Sequence, residues 1–195
     1  MNTHAHRTMF SLLALMLCLL PACFGGDEPD EKEDKEPPVS QLDTCDEHDF
    51  APSGWIGPGV GEDGKLLEPA SSYVMAGTAG LPRASEADQV NFDMHNTAIL
   101  EDILTREGFV AANLGGSTVC STGRTMSLWR DHDSMMKFVL GDAHLAAMTE
   151  VSDILQESKT SNWTFEPDAQ GNFPTWETYA EHMDEVDATI YQREE

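Results

Sequence analysis

The chain has 195 residues and a formal net charge of -24, room for one ordinary domain once processed and disordered parts are set aside. Eleven basic residues face 35 acidic ones, with no basic stripe for a phosphate backbone, which argues against nucleic acid as a partner. An acidic surface of this kind keeps a chain soluble by repulsion and holds cations loosely.

In chain order, residues 1–11 are polar with one positive charge, Arg7, while Phe10 and Leu12 to Leu20 form an apolar run broken by Ser11. That is the order of a secretory signal, and the run is shorter than the roughly 20 residues of a permanent span. Leu20-Pro21-Ala22-Cys23 resembles the lipobox of bacterial lipoproteins, with Pro21 departing from the commonest choices. The resemblance implies that residues 1–22 are a signal peptide and that Cys23 carries lipid, whose several acyl chains would attach the protein stably to a membrane. Phe24 lacks the acidic retention signal familiar from some lipoproteins, which points to the outer membrane or cell surface rather than the inner membrane.

Residues 23–45 read as a disordered acidic tether: Asp27 to Glu36 and Pro37-Pro38 offer almost nothing to bury. Cys45 and Cys120 are then an even pair in an oxidising compartment, free to close a disulfide or to stay as two thiols. Residues 46–70 are a Gly- and Pro-rich lead-in that docks Trp55. Within it, Gly59 to Lys65 has the spacing of part of a phosphate loop, but Leu66 stands where Ser or Thr would hold magnesium, no strand precedes it, and Glu62 and Asp63 repel phosphate. A turn with Gly64 at positive φ is the better reading.

The ordered domain is expected over residues 71–166. Tyr73 to Ala79 is a strand ended by Gly80 and Pro82. Ser85 and Asp88 resemble a capping box, and Val90, Met94, Ile99, Leu100, Ile103 and Leu104 recur at helical spacing until Gly108, which predicts one inward apolar face. Phe109 to Asn113 and Arg124 to Trp129 read as two strands of a hairpin with a long connection. Asp131 or Asp133 can cap a helix carrying Met135, Met136, Phe138 and Val139; after Gly141, Asp142 caps a continuation with Leu145, Met148 and Val151 inward and His144 near that face. Ser161 to Phe165 is a fourth strand, and residues 167–195 form a helical extension around Pro174, Trp176, Tyr179 and Met183.

Strand, helix, strand, strand, helix, strand is the split βαβ, ferredoxin-like arrangement. The expected class is therefore α+β, a four-stranded antiparallel sheet with helices on one face and the other face open to a ligand or a second subunit.

Arg124 to Met148, with its strand ending in Trp129, acidic helix start, aromatic Phe138 one turn in and His144 after the break, resembles the dimeric α/β-barrel superfamily that includes antibiotic-biosynthesis-type monooxygenases. The resemblance implies a subunit pairing sheet to sheet as a homodimer, with a pocket between sheet and helices. It implies no single chemistry: where haem-degrading members place a Trp and a His, this chain has Phe138 and Met148.

His144 and His95 are the candidate catalytic residues, since a neutral imidazole near an apolar face can move a proton; each also fits a hydrogen-bonded core or surface histidine. Trp129 and Phe138 are candidate pocket residues and would look the same as core. Asp131-His132-Asp133 is better read as capping than as a metal site, and Glu181-His182 faces water. No zinc-protease, esterase or dinucleotide motif occurs, and the residues name neither a metal nor a cofactor. Two functions follow as expectations: a lipid-anchored module binding a small apolar molecule or a partner subunit, and a cofactor-independent monooxygenase-like enzyme. The second requires His95 and His144 to point into one cavity beside Trp129 or Phe138.

Overall fold

The computed structural model describes residues 39–193; the expected signal peptide, Cys23 and most of the expected tether lie outside them. In chain order the elements are α1 (Gln41–Thr44), β1 (Ala51–Ile56), β2 (Tyr73–Pro82), α2 (Glu86–Ile103), β3 (Phe109–Ser117), β4 (Thr122–Trp129), α3 (His132–Val139), α4 (Asp142–Thr149), α5 (Val151–Ile154), β5 (Leu155–Phe165), α6 (Trp176–Met183) and β6 (Thr189–Ile190).

All strands join one antiparallel sheet in the order β1-β3-β4-β2-β5-β6. Its central four strands have the split βαβ order that the element pattern implies. The sheet has six strands, however, not four. β1 comes from the lead-in and pairs with β3 through Pro52 and Trp55, with an irregularity between them where Gly54 takes φ +79°. Pro and a bulge are tolerated there because the strand is an edge. β6 adds two residues beside Glu157 and Ser158.

Alternation along β2 assigns the two faces. Val74 and Ala76 belong to a core with Ala112, Trp129 and, from the helices, Ile103, Met135 and Phe138. Tyr73, Met75, Ala79 and Leu81 point the other way, into a second core with Met126, Leu128, Leu42, Phe173, Tyr179 and Met183. The expected open face is therefore closed. α6 lies on it, and Gly77 makes room: a Cβ there would stand 3.0 Å from Tyr179, 3.1 Å from Trp163 and 3.2 Å from Met183. The helix is fixed by Thr175, whose hydroxyl accepts from the Thr178 amide, and by the Tyr179 hydroxyl, which donates to the Thr78 carbonyl at 2.6 Å.

The N-terminal flank closes the rest of that face. Ser40 to Cys45, read from sequence as the end of the tether, is packed, with Leu42 buried and Cys45 bonded to Cys120 across 75 positions. Trp55 stacks on Phe173 at 4.7 Å. Both helical caps over the first core behave as capping chemistry demands: Ser85 accepts from the Asp88 amide at 3.2 Å and Asp131 from the Ser134 amide at 2.7 Å. Gly141, rather than Asp142, caps α4, without a side-chain bond. The expected inward faces are corrected at five positions: Val90, Met94 and Leu104, and Leu145 and Met148, are exposed.

Candidate functional site

Beneath the helices the aromatic residues form a closed stack. Trp129 is fully buried, its Nε1–H donates to the Ser127 hydroxyl at 3.0 Å, and its ring lies 5.4 Å from Phe109 and 5.2 Å from Phe138. Trp129 and Phe138, taken from sequence as pocket residues, are thus core. The sheet alternation that makes Trp129 inward is the same signal in either role, so sequence alone leaves the two alike.

His144 continues this stack, edge-on to Phe138 at 5.3 Å. Its buried Nδ1 has no hydrogen-bond partner. Burial pushes the imidazole pKa below its ordinary value, opposed more weakly by the Val139 backbone and the Asp102 carboxylate, so the ring is neutral at pH 7. His95 is buried on α2, and its Nε2 lies 3.2 Å from Glu150 Oε2, which also accepts from the Asn91 amide at 3.2 Å. Those two bonds, Asn91 first, hold the Glu150 carboxyl below the usual range. His144 sits in the first turn of α4 and Glu150 at its C-terminal cap, about 9 Å along the axis at 1.5 Å per residue. The histidines therefore engage opposite ends of one helix.

Neither of two clefts on the surface of the described residues is lined by His95, His144, Trp129 or Phe138. The first, about 460 Å³, lies between the lead-in loop and the sheet end, with Leu66, Leu67, Pro69, Tyr73, Phe109 and Val110 among its walls and Arg130 at its rim. Arg130 is loosely paired with Glu68 at 3.9 Å. Leu66 is held there by backbone bonding to Gly171, and Tyr73 anchors the loop by donating to the Glu68 carbonyl at 2.7 Å while accepting from Ala70. The Gly59 to Lys65 stretch forms part of this loop: Gly61 donates to the Lys65 carbonyl, and Gly64 takes φ +76°. The second cleft is polar, and its Arg106 is already paired with Asp102 at 2.8 Å.

On the other face of the sheet is a charged network that sequence reading missed. Arg124 grips Glu47 with two bonds of 2.8 and 2.9 Å and donates to the Leu42 carbonyl. Lys159, buried, pairs with Asp43 and donates to the Met183 carbonyl at 3.2 Å. Glu157 accepts from the Ser40 hydroxyl and from the Gln41 and Leu42 amides. Burial pushes the nearby Tyr179 hydroxyl up to about 12, so it remains a donor. The available signal was Arg124, Glu157 and Lys159 at positions that alternation places on the same face as Met126 and Leu81. Among the described residues no group of three His, Cys, Asp or Glu side chains is placed to hold a metal ion.

No protein-family model matches the chain, and no curated protein matches it. Among solved structures it resembles a protein from Fusobacterium nucleatum provisionally named a monooxygenase, at 17% identity and TM-score 0.45, over 56% of this chain and 50% of that one. It also resembles SnoaB, a cofactor-independent oxygenase from Streptomyces nogalater, at 15% identity and TM-score 0.38, over 51% of this chain and 95% of that one. A third is Rv0793 from Mycobacterium tuberculosis, at 12% identity and TM-score 0.42, over 49% and 95% respectively. The chain thus spans half the length of the first of these.

Proposed function

We propose that this is an exported, lipid-anchored envelope protein whose domain binds a small molecule with an apolar body in the cleft between the lead-in loop and the sheet end. Anchoring rests on Leu20-Pro21-Ala22-Cys23, with support from the Cys45–Cys120 bond, since disulfides persist in oxidising compartments. Binding rests on the cleft itself. Its volume of about 460 Å³ suits a small ligand, its walls mix the apolar side chains of Leu66, Leu67, Pro69 and Val110 with polar groups, and Arg130 can leave a loose pairing with Glu68 to meet a ligand acceptor.

Anilinonaphthalene sulfonate, an apolar ring system with one anionic group, is a direct probe. Saturable binding that weakens at least tenfold in Leu67→Asp and in Arg130→Glu, but not in Met94→Ser, is expected. Binding indifferent to both cleft variants refutes the site. Cys23→Ser, with the membrane-fraction share measured, tests the anchor separately: a chain that stays with the membrane refutes lipid attachment there.

The second expectation, a cofactor-independent monooxygenase-like catalyst, requires both imidazoles in one cavity, and they engage opposite ends of α4 instead; what it keeps is the orphaned, buried Nδ1 of His144 beside Phe138 and Trp129. On that reading His144 takes the substrate proton, while His95 is occupied by Glu150. Dioxygen uptake against a panel of phenols, lost in His144→Gln with the fold intact, would favour it; equal rates in both proteins would end it.

A further inference from the structure

Eleven large apolar side chains stand exposed among the described residues, and six of them belong to the helical layer: Val90 and Met94 on α2, Leu104 at its C-terminal cap, Leu140 between α3 and α4, and Leu145 and Met148 on α4. Single exposed apolar residues need no explanation, but a gathering on two helices packed against each other does. Val90 and Met94 are four apart and share the side of α2 opposite the buried Ile103. α2 carries apolar residues on both sides for this reason, one set spent on the sheet and one left outside.

Acids predominate around Val90, Met94, Leu145 and Met148, while Arg193 is paired with Asp88 on α2, and Arg106 and Lys137 lie nearer Leu104 and Leu140. Glu86, Asp93 and Glu101 are exposed on the same side of α2 as Val90 and Met94, and Asp142 is exposed at the start of α4. Neither α2, α4 nor α5 contains a Lys or Arg. We propose that the outer face of α2 and α4 is a docking surface for a cationic amphipathic helix of a partner protein.

An apolar stripe bordered by Lys or Arg would place its aliphatic side chains on Val90, Met94, Leu145 and Met148 and its charges against Glu86, Asp93, Glu101 and Asp142. Methionine suits such a surface because its thioether adapts to varied partners. α2 runs about 27 Å, long enough to seat five turns. Charge rules against the other occupants. A second copy would bring the same acids against themselves, and an anionic lipid surface would repel them. The net charge of -24 would also speed encounter with a cationic partner. None of these residues lines the cleft beside Arg130, so this proposal and the ligand reading stand or fall separately.

The test uses the full chain with ¹³C-labelled methionine methyl groups. It is titrated with a synthetic 18-residue Leu/Lys helix whose leucines lie on one side, and with a scrambled peptide of the same composition. Saturable shifts at Met94 and Met148, with the buried Met75, Met126 and Met183 unmoved, and at least tenfold tighter binding of the amphipathic peptide are expected. Met94→Ser with Met148→Ser, and separately Glu101→Lys with Asp93→Lys, should each weaken binding tenfold; all four positions are exposed, and a retained thermal midpoint verifies folding. Equal binding of the scrambled peptide overturns the proposal, as do shifts confined to other methionines. So does concentration-dependent self-association that Met94→Ser abolishes, or capture of the chain by phosphatidylglycerol vesicles that the same change abolishes in a Cys23→Ser background.

Discussion

Replacing Cys45 and Cys120 by Ala removes a link across 75 positions. In the loop-closure account such a link costs the unfolded ensemble about 4.5 kcal/mol of entropy at 25 °C. The native state should feel the loss little, because Ser40 to Glu47 stays tied by Glu157, Lys159 and Arg124. The expected loss of stability is therefore about 3 to 4 kcal/mol, or roughly a 10 °C fall in Tm for a domain of this size. Urea unfolding followed by the fluorescence of the four tryptophans measures it, with the wild type under reductant as a second route. A loss below about 1 kcal/mol with one cooperative transition would mean the denatured chain gains no freedom. Two separate transitions would mean that the N-terminal flank is not part of the same core; either result refutes the reasoning.

Glu47→Ala leaves Arg124 half-buried without its carboxylate and should cost about 3 kcal/mol in the same assay, whereas Glu47→Leu combined with Arg124→Leu should cost less. Trp129→Ala opens a cavity where nothing is exposed and should cost about 4 kcal/mol. His144 has a folded pKa below its ordinary 6.5, so the unfolded chain binds the proton first as pH falls. Unfolding free energy should then be insensitive to His144 above about pH 7 and should drop as pH falls through 6.5, and His144→Gln should remove that part of the slope. An identical slope in the variant, read from urea midpoints between pH 5 and 8, counts against a desolvated imidazole.

The four central strands are legible because each carries several residues of β-prone or alternating character between glycines or a proline, as in Tyr73 to Ala79. β1 and β6 are not: Ala51 to Ile56 holds Pro52 and Gly54, β6 has two residues, and both join by backbone pairing, which leaves little side-chain pattern. Helix periodicity places α2 correctly but not its faces, since Val90 and Met94 keep the same four-residue spacing as Ile99 and Ile103. Arg124, Glu157 and Lys159 mislead in another way. Their partners Glu47, Ser40 and Asp43 arrive from far along the chain, so no local window shows that a charge there is inward and satisfied. His95 and His144 are visible as candidates, yet the helix geometry that sends them to opposite ends of α4 is tertiary information.

The closure of the second sheet face also bears on self-association. Two copies could pair through that face only by displacing α6 and the flank around Leu42, which would unseat Tyr179, Met183 and Phe173 and break the Arg124–Glu47 and Lys159–Asp43 pairs. Each buried apolar side chain is worth about 1.5 to 3 kcal/mol, and a stranded buried charge costs more than that. A second sheet would have to replace all of these contacts at once while bringing two acidic chains together. Across the sheet, exposed apolar side chains on α2 and α4 are available without first breaking an internal contact. In this chain the second sheet face is used for folding, whereas the outer helical face keeps exposed apolar side chains that the fold does not use.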